Sequence, residues 1–212
     1  MTDGLFDLPA ETTLCPGAVL LHGFALADAA AVLAAVAGVT TAAPFRRMTT
    51  PGGFRMSVAM SNCGALGWIT DRHGYRYTAI DPDSGHPWPA MPPALARLAS
   101  DAAERAGFPG FSPDACVINR YAPGAKMALH QDRDEQDFSQ PIVSVSLGLP
   151  AIFLFGGLAR GDKILRVPLA HGDVFVWGGA ARLRFHGVAP VATGEHPATG
   201  PWRLNLTFRK AG

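Results

Sequence analysis

The order of apolar and polar residues predicts two helices early in the chain. Residues 26–39 have the period and the alanine and leucine content of a helix, and they follow a short apolar run at Ala18–Leu21 that is typical of a strand. A second helix is predicted at residues 92–107, where Pro92 and Pro93 begin the helical pattern and Gly107 ends it. Both helices would pack against one face of a sheet.

After Gly107 the pattern changes to short runs of strand character separated by turn residues. Eight strands are predicted at Ala115–Tyr121, Met127–His130, 142–149, 152–155, 164–168, 173–177, 182–185 and Arg203–Arg209. Strands of this length and spacing are typical of an antiparallel sandwich or barrel. No repeat or linker interrupts the sequence, so one domain over residues 1–212 is expected, with the barrel core at about 113–211.

Residues 45–90 differ from both the predicted helices and the strand-rich segment after Gly107. Glycine and proline recur through this segment together with tryptophan, tyrosine and phenylalanine, which favours turns and hairpins over helix. Such hairpins could present aromatic rings at the surface. Trp88 is more simply interpreted as a packing residue.

Charge is distributed unevenly along a chain whose net charge is only +1. Residues 45–77 carry a net charge of +4 and residues 160–212 a net charge of +5. These basic segments could form a patch for an anionic partner, or they could be an ordinary solvated surface.

The three cysteines, Cys15, Cys63 and Cys116, are far apart in the sequence, and no two of them have the Cys-x-x-Cys spacing typical of metal binding. Reduced structural thiols are therefore expected. The acidic N-terminus lacks the pattern of a signal peptide, and no apolar run is long enough to span a bilayer. A monomeric cytoplasmic protein is the expectation.

Candidate metal ligands begin with His130 and Asp132. On a strand, residues two apart point to the same face, so an imidazole and a carboxylate could meet there. They would supply two ligands of the 2-His-1-carboxylate triad that holds non-haem Fe(II). His186, followed by a glycine at the end of the predicted strand 182–185, is the candidate third ligand, although a hydrogen-bonded core histidine is its simpler interpretation.

The last predicted strand, Arg203–Arg209, alternates strictly between polar and apolar residues. Its polar face carries two arginines with Asn205 and Thr207 between them. Arginine is rarely buried without an anion, and its planar fork pairs with carboxylate or phosphate groups. The face is thus either a binding surface for a dicarboxylate or phosphate, or a solvated outer face.

These features together resemble the Fe(II)/2-oxoglutarate dioxygenases, and within them the AlkB family of DNA alkylation repair enzymes. The resemblance covers about residues 15–211. It is carried by the metal-ligand and arginine patterns and by several further stretches: Thr50-Pro-Gly-Gly, Leu66-Gly-Trp68, Trp88-Pro-Ala-Met-Pro, Ile118-Asn-Arg-Tyr-Ala-Pro-Gly-Ala-Lys126 and Phe155-Gly-Gly-Leu.

The resemblance implies a mainly β, α+β fold. Its core would be a double-stranded β-helix, or jelly roll, buttressed by the N-terminal helices, with residues 45–90 as a nucleotide-recognition lid. It implies Fe(II) bound by His130, Asp132 and His186, with O2 and 2-oxoglutarate as co-substrates. Residues implied beside 2-oxoglutarate are Asn119, Arg120, Tyr121, Arg203, Asn205 and Arg209, with Arg203 at the distal carboxylate.

The implied reaction is oxidative removal of methyl groups from N1-methyladenine and N3-methylcytosine in single- or double-stranded DNA, with RNA as a further partner. Trp68 and His130 would enclose the flipped base. The other residues implied at the base, the lid and the phosphates are Thr50, Met60, Tyr75, Arg76, Tyr77, Asp134 and Arg160. Two alternatives stay open: a non-catalytic module that binds single-stranded nucleic acid, and a hydroxylase of a small metabolite.

Overall fold

The computed structural model describes residues 9–212; the start of the chain, on which the signal-peptide expectation depends, lies outside them. Thirteen strands, two α-helices and one 3-10 turn follow one another within these residues. In chain order they are β1 (Glu11–Cys15), β2 (Ala18–Leu21), α1 (Ala29–Ala42), β3 (Ala59–Gly64), β4 (Gly67–Asp71), β5 (Gly74–Thr78), α2 (Pro93–Arg105), β6 (Ala115–Tyr121), β7 (Met127–His130), β8 (Ile142–Gly148), β9 (Ala151–Phe155), β10 (Leu165–Leu169), β11 (Val174–Trp177), a 3-10 turn (Gly179–Ala181), β12 (His186–Val188) and β13 (Arg203–Arg209).

The strands form two facing sheets and a separate hairpin. The major sheet has seven antiparallel strands in the order β1-β2-β11-β8-β13-β6-β3, and the minor sheet has four in the order β10-β9-β12-β7. The hairpin consists of β4 and β5. Two antiparallel sheets whose neighbouring strands are distant in sequence form the predicted jelly-roll core, so the mainly β fold class is confirmed.

The two faces of the major sheet carry different cores. Leu204, Leu206 and Phe208 of β13 pack with the buried residues of both helices on the outer face. On the inner face, aromatic residues such as Phe153 and Trp177 fill the space between the sheets. Within residues 9–212, neither helix is long and apolar enough to cross a membrane.

The predicted strand at residues 182–185 is wrong. These residues follow the 3-10 turn as a non-strand segment, and β12 begins only at His186. Arg182 turns inward and donates hydrogen bonds to the carbonyl oxygens of Gln140 and Asp132, so it serves as a cross-link between loops. The backbone of Arg182 is helical, with φ −53° and ψ −40°, so the chain is still turning where the strand was expected.

Residues 45–90 contain two kinds of structure. β3 is buried and pairs with β6 in the major sheet, whereas β4 and β5 form the separate hairpin beyond it. Asn62 of β3 joins the two: its side chain bonds both the amide and the carbonyl of Trp68, each at 3.1 Å. Trp88 is buried as expected, and it lies so close to Gly67 that a Cβ there would be 2.3 Å from its ring.

Candidate active site

Two histidines and an aspartate meet where β7 and β12 pair. His130 is the last residue of β7 and His186 the first of β12, and the two are direct partners in the antiparallel register. Asp132 follows β7, with its oxygens 3.5 Å from His130 Nε2 and 3.7 Å from His186 Nε2. All three ligand atoms lie within 4.8 Å of one another. Gly187 permits this approach, because a Cβ there would be 2.7 Å from the Met127 carbonyl oxygen.

Both imidazoles are oriented for metal binding through Nε2. Their Nδ1 atoms lie against backbone carbonyl oxygens, at 2.8 Å from Ala128 for His130 and at 3.0 Å from Arg184 for His186. A carbonyl accepts the Nδ1 proton and leaves Nε2 free as a ligand. Burial, helped by the neighbouring His186, lowers the pKa of His130 to about 4. The ring is therefore neutral at neutral pH, as a metal ligand must be.

Asp132 is held as a carboxylate by an arginine. Arg209 donates two hydrogen bonds from Nε and Nη2 to Asp132 Oδ2, at 2.9 and 2.6 Å. Burial raises the pKa of Asp132, but the charge of Arg209, together with the contact to His186, outweighs burial and holds the pKa well below its ordinary value. The site therefore combines two imidazole nitrogens with one anionic oxygen.

A buried carboxylate behind this group was missed by sequence reasoning. Glu135 accepts hydrogen bonds from the Tyr77 hydroxyl at 2.8 Å and from Arg182 Nη2 at 3.0 Å, and it lies 3.3 Å from Arg209 Nε. Burial raises the pKa of Tyr77 well above its ordinary value, so its hydroxyl stays protonated and donates. Glu135 thus connects the β4–β5 hairpin to Arg209 and the metal group.

The polar face of β13 points inward, between the sheets. Asn205 donates to Ser144 Oγ at 2.8 Å and accepts from Asn119 at 3.1 Å, while Thr207 donates to Asn205 Oδ1 at 3.0 Å. Arg203 donates from Nη2 to Ser146 Oγ at 3.1 Å. Ser144 and Ser146 were also missed, although their alternation with valine in β8 is a signal that could have found them.

Arg203 has unused donors. It is fully buried and lies over the Tyr121 ring at 4.9 Å. Among residues 9–212, its Nε and Nη1 atoms have no hydrogen-bond partner, and no carboxylate forms an ion pair with it. A buried guanidinium with orphaned donors is costly unless an anion completes it. The carboxylate of 2-oxoglutarate fits this requirement.

One cavity of about 730 Å³ connects these groups to the surface. Its volume is in the range of small-molecule and cofactor sites. The predicted site residues that line it are Thr50, Met60, Trp68, Tyr75, Tyr77, Asn119, Tyr121, His130, Asp132, Asp134, Arg160, His186, Asn205 and Arg209.

The hairpin closes one side of the cavity. The rings of Trp68 and Tyr75 stack with their centroids 5.8 Å apart, and Trp68 Nε1 donates to Asp134 Oδ2 at 2.7 Å. Exposed Arg160, which also lines the cavity, lies over the Phe185 ring at 4.8 Å and donates to the Leu129 carbonyl at 3.0 Å. Aromatic rings, the Asp134 carboxylate and the Arg160 guanidinium therefore line the entrance.

Three predicted site residues do not line the cavity. Arg203 lies behind Tyr121, which does. Arg76 forms a two-bond ion pair with Asp71 at the hairpin end. Arg120 does not lie at its expected position beside 2-oxoglutarate. Strand alternation turns its side chain to the outer face of β6, away from Asn119 and Tyr121.

Sequence comparison agrees with this geometry. The family described as the 2OG-Fe(II) oxygenase superfamily matches residues 17–209. The chain belongs to this superfamily. A member with two histidines and one carboxylate converging beside buried arginines has the donor set that Fe(II) and 2-oxoglutarate require.

Individual relatives of this oxygenase are similar over almost the whole chain. It is 57% identical to alpha-ketoglutarate-dependent dioxygenase AlkB of Salmonella typhimurium, covering 97% of this chain and 95% of the relative. It is also 57% identical to the protein of the same name from Escherichia coli, covering 96% and 94%. Among solved structures, that of OsALKBH1 has a TM-score of 0.83 at 31% identity, covering 94% of this chain and 99% of that one.

Proposed function

We propose that this Fe(II)/2-oxoglutarate-dependent dioxygenase is an oxidative demethylase of N-alkylated bases in DNA, including N1-methyladenine and N3-methylcytosine. The observation that carries the proposal is the group His130, Asp132 and His186, whose ligand atoms lie within 4.8 Å of one another at a cavity with an aromatic rim. The AlkB relatives, 57% identical over nearly their full length, support the same assignment.

The three side chains would hold Fe(II), with the histidine Nε2 atoms and the Asp132 carboxylate as ligands. Bound Fe(II), with 2-oxoglutarate and O2, supplies the oxidation that hydroxylates an N-methyl group while 2-oxoglutarate is converted to succinate and CO2. The hydroxymethyl group then leaves as formaldehyde and restores the base. The protein contributes orientation and exclusion of water from the cavity.

The arginines of β13 have separate roles in this proposal. Arg203 binds the distal carboxylate of 2-oxoglutarate, since its Nε and Nη1 donors are the unsatisfied ones. Arg209 is already bonded to Asp132 and therefore acts at the metal end. Asn119, Tyr121 and Asn205 complete the polar wall beside the co-substrate. Arg120 has no part in it.

The alkylated base would enter the cavity from the rim. A base in a duplex must be flipped out to reach the metal, at a cost of a few kcal/mol that is lower when alkylation has already weakened pairing. Trp68 and His130 would enclose the ring, with Met60 beneath it. Because N1-methyladenine and N3-methylcytosine are cations, the Asp134 carboxylate at the rim favours them over neutral bases.

The remaining rim residues would bind the strand on either side of the base. Thr50, Tyr75 and Arg160 line the entrance, and Tyr77 fixes the hairpin through Glu135. Arg76, held by Asp71, supports the end of the hairpin. In this proposal the chain is one domain with a jelly-roll core at about 113–211 and a lid at about 45–90. It acts as a cytoplasmic monomer on single- or double-stranded DNA, with RNA as a further substrate.

The test is a single-stranded oligonucleotide with one N1-methyladenine, incubated with protein, Fe(II), 2-oxoglutarate and O2. The expected result is loss of the mass of one methylene group, with one succinate and one formaldehyde formed per methyl removed. A panel that adds N3-methylcytosine, duplex DNA and RNA ranks the substrates. Binding of Fe(II) and 2-oxoglutarate without repair of any methylated nucleic acid would overturn the substrate assignment and favour a small metabolite.

A further inference from the structure

A second cavity, of about 430 Å³, lies on the outer face of the major sheet. We call it the arginine cleft. Its lining consists of Phe45, Arg46, Arg47, Arg55, Ala59, Arg120, Ala122 and Trp202. Four of these eight residues are arginines and none is acidic, so the cleft is strongly cationic. The function proposed above uses none of its guanidinium groups.

Arg120, in the lining of the cleft, contacts two aromatic rings. Its guanidinium carbon lies 4.4 Å from the centre of the Phe45 ring and 4.8 Å from that of Trp202. Cation–π contacts hold the flat faces of a guanidinium and leave the N–H groups at its edge free to donate. The side chain is thus positioned for a ligand without being satisfied by one.

The positive charge of the cleft is largely uncompensated. Arg46 pairs with Asp81 at 2.7 Å and Asp83 at 3.0 Å. Among residues 9–212, the side chains of the other three arginines form no ion pair and no hydrogen bond, in contrast to Arg46. Burial, together with the charge of Arg47, lowers the pKa of Arg120. Like charges that converge without an acid favour binding of an anion.

The arginine cleft and the active-site cavity lie on opposite faces of the same two strands. Asn119 and Met60 are direct partners facing the cavity, while their neighbours Arg120 and Ala59 are partners facing the cleft. The turn before β3 borders both: Thr50 and Met56 line the cavity, and Arg55 lines the cleft. A nucleic-acid strand that leaves the cavity over this turn would reach the arginines of the cleft.

We propose that the arginine cleft binds backbone phosphates of the nucleic-acid strand whose alkylated base occupies the active-site cavity. This inference rests on the proposed function and extends its binding surface beyond the rim. The chemistry recognised is the phosphate group, which accepts paired hydrogen bonds from the guanidinium fork. Nucleic acid is preferred to a free anion because the cleft shares the turn at residues 49–55 with the cavity entrance.

The variant that tests the cleft is Arg47→Gln/Arg55→Gln. Both side chains are exposed, so their loss leaves folding intact, which a thermal melt checks. The matched control is Arg97→Gln/Arg166→Gln, which removes two exposed positive charges that line neither cavity. Fluorescence anisotropy measures Kd for an unmodified single strand of about fifteen nucleotides over a range of salt concentrations.

The cleft variant is expected to raise Kd for the strand about 10-fold at low salt and to reduce the slope of log Kd against log salt by about 1, because phosphate contacts are lost. The control variant should change the Kd and the salt slope much less. Demethylation of an N1-methyladenine trinucleotide, which carries only the phosphates next to the base, should be equal in wild type and cleft variant. Equal Kd and slope for the cleft and control variants would overturn the inference.

A free anion is the alternative ligand of the cleft, and inorganic phosphate is the probe for it. If the cleft variant loses binding of inorganic phosphate, measured by titration calorimetry, while strand affinity is unchanged, the cleft takes free anions and the nucleic-acid assignment is wrong. Failure of the wild type to demethylate the trinucleotide would instead count against the proposed function. The strand-affinity comparison is measured without turnover and still tests the cleft.

Discussion

The metal end and the rim of the active-site cavity are built in different ways. At the metal end, His186, Arg203 and Arg209 are buried on paired strands, and each is fixed by hydrogen bonds or ring contacts inside the core. At the rim, Trp68 and Tyr75 stand on a two-stranded hairpin that is not part of either sheet. Its polar side-chain links to the segment after Asp132 are those of Trp68 to Asp134 and Tyr77 to Glu135.

This difference separates chemistry from recognition. The two histidines and the β13 arginines, which must hold a metal and a dicarboxylate in fixed geometry, lie on the sheets, as precise sites require. Groups that must admit a base lie on a hairpin outside the two sheets, whose strand β4 packs into the core through Ile69 while β5 stays partly exposed. Substitutions at the metal end should therefore affect turnover, and substitutions at the rim should affect substrate binding.

The largest effect is expected at the metal end. His130→Ala removes a ligand from a group that has no spare histidine, so turnover should fall by about a thousandfold or more. Coupled release of succinate and formaldehyde measures it. His86→Ala, which changes an exposed histidine outside the cavity, is the control. Retained activity in His130→Ala would show that His130, Asp132 and His186 do not form the catalytic metal site.

The next effect concerns the co-substrate. Arg203→Lys keeps the charge but loses the planar fork, so a carboxylate bound there should lose about 1.5–3 kcal/mol of charge-assisted hydrogen bonding. The KM for 2-oxoglutarate should rise about 10- to 100-fold, with the Kd for oligonucleotide unchanged. Initial rates over a 2-oxoglutarate series measure it. An unchanged KM would mean that the orphaned donors do not face the co-substrate.

At the rim, Trp68→Ala should weaken binding of the base. Stacking on an aromatic ring contributes about 1–3 kcal/mol per base, which corresponds to roughly a 5- to 150-fold rise in KM for the methylated oligonucleotide. The KM for 2-oxoglutarate should stay as in the wild type. If Trp68→Ala instead raised the KM for 2-oxoglutarate, the proposed division between metal end and rim would fail.

The smallest effect tests the attachment of the hairpin. Tyr77→Phe removes one hydrogen bond to Glu135, which remains bonded to Arg182, so stability should fall by about 0.5–1.5 kcal/mol. Chemical denaturation measures it. Tyr75→Phe is the control, because the Tyr75 hydroxyl makes no hydrogen bond within residues 9–212. Equal stability of the two variants would show that this link does not hold the hairpin.

The sequence predicts the core of the site well because strand periodicity is local. Alternation along β13 assigns Arg203 and Asn205 to one face and Leu204 to the other, and the structure agrees. His130 and Asp132 are close in sequence, so their convergence follows from a short range of chain. The strand bounds of β6, β7 and β13 match the predicted ones.

What the sequence did not predict depends on contacts between distant segments. Glu135 and Arg182 lie outside regular strands and meet only because the fold brings two loops together. The outward direction of Arg120 follows from the same alternation that turns Asn119 inward. The resemblance nevertheless assigned both residues to the 2-oxoglutarate site. β1 is an edge strand with partly exposed residues, so it lacks the apolar run that marks a buried strand.

The most direct test of the account is an anaerobic crystal structure with Fe(II) and 2-oxoglutarate bound, in which anomalous scattering locates the iron. The account predicts one iron per chain, coordinated by His130 Nε2, the Asp132 carboxylate and His186 Nε2, with the distal carboxylate of 2-oxoglutarate on Arg203. Iron at another place, or a co-substrate whose distal carboxylate does not contact Arg203, would contradict it.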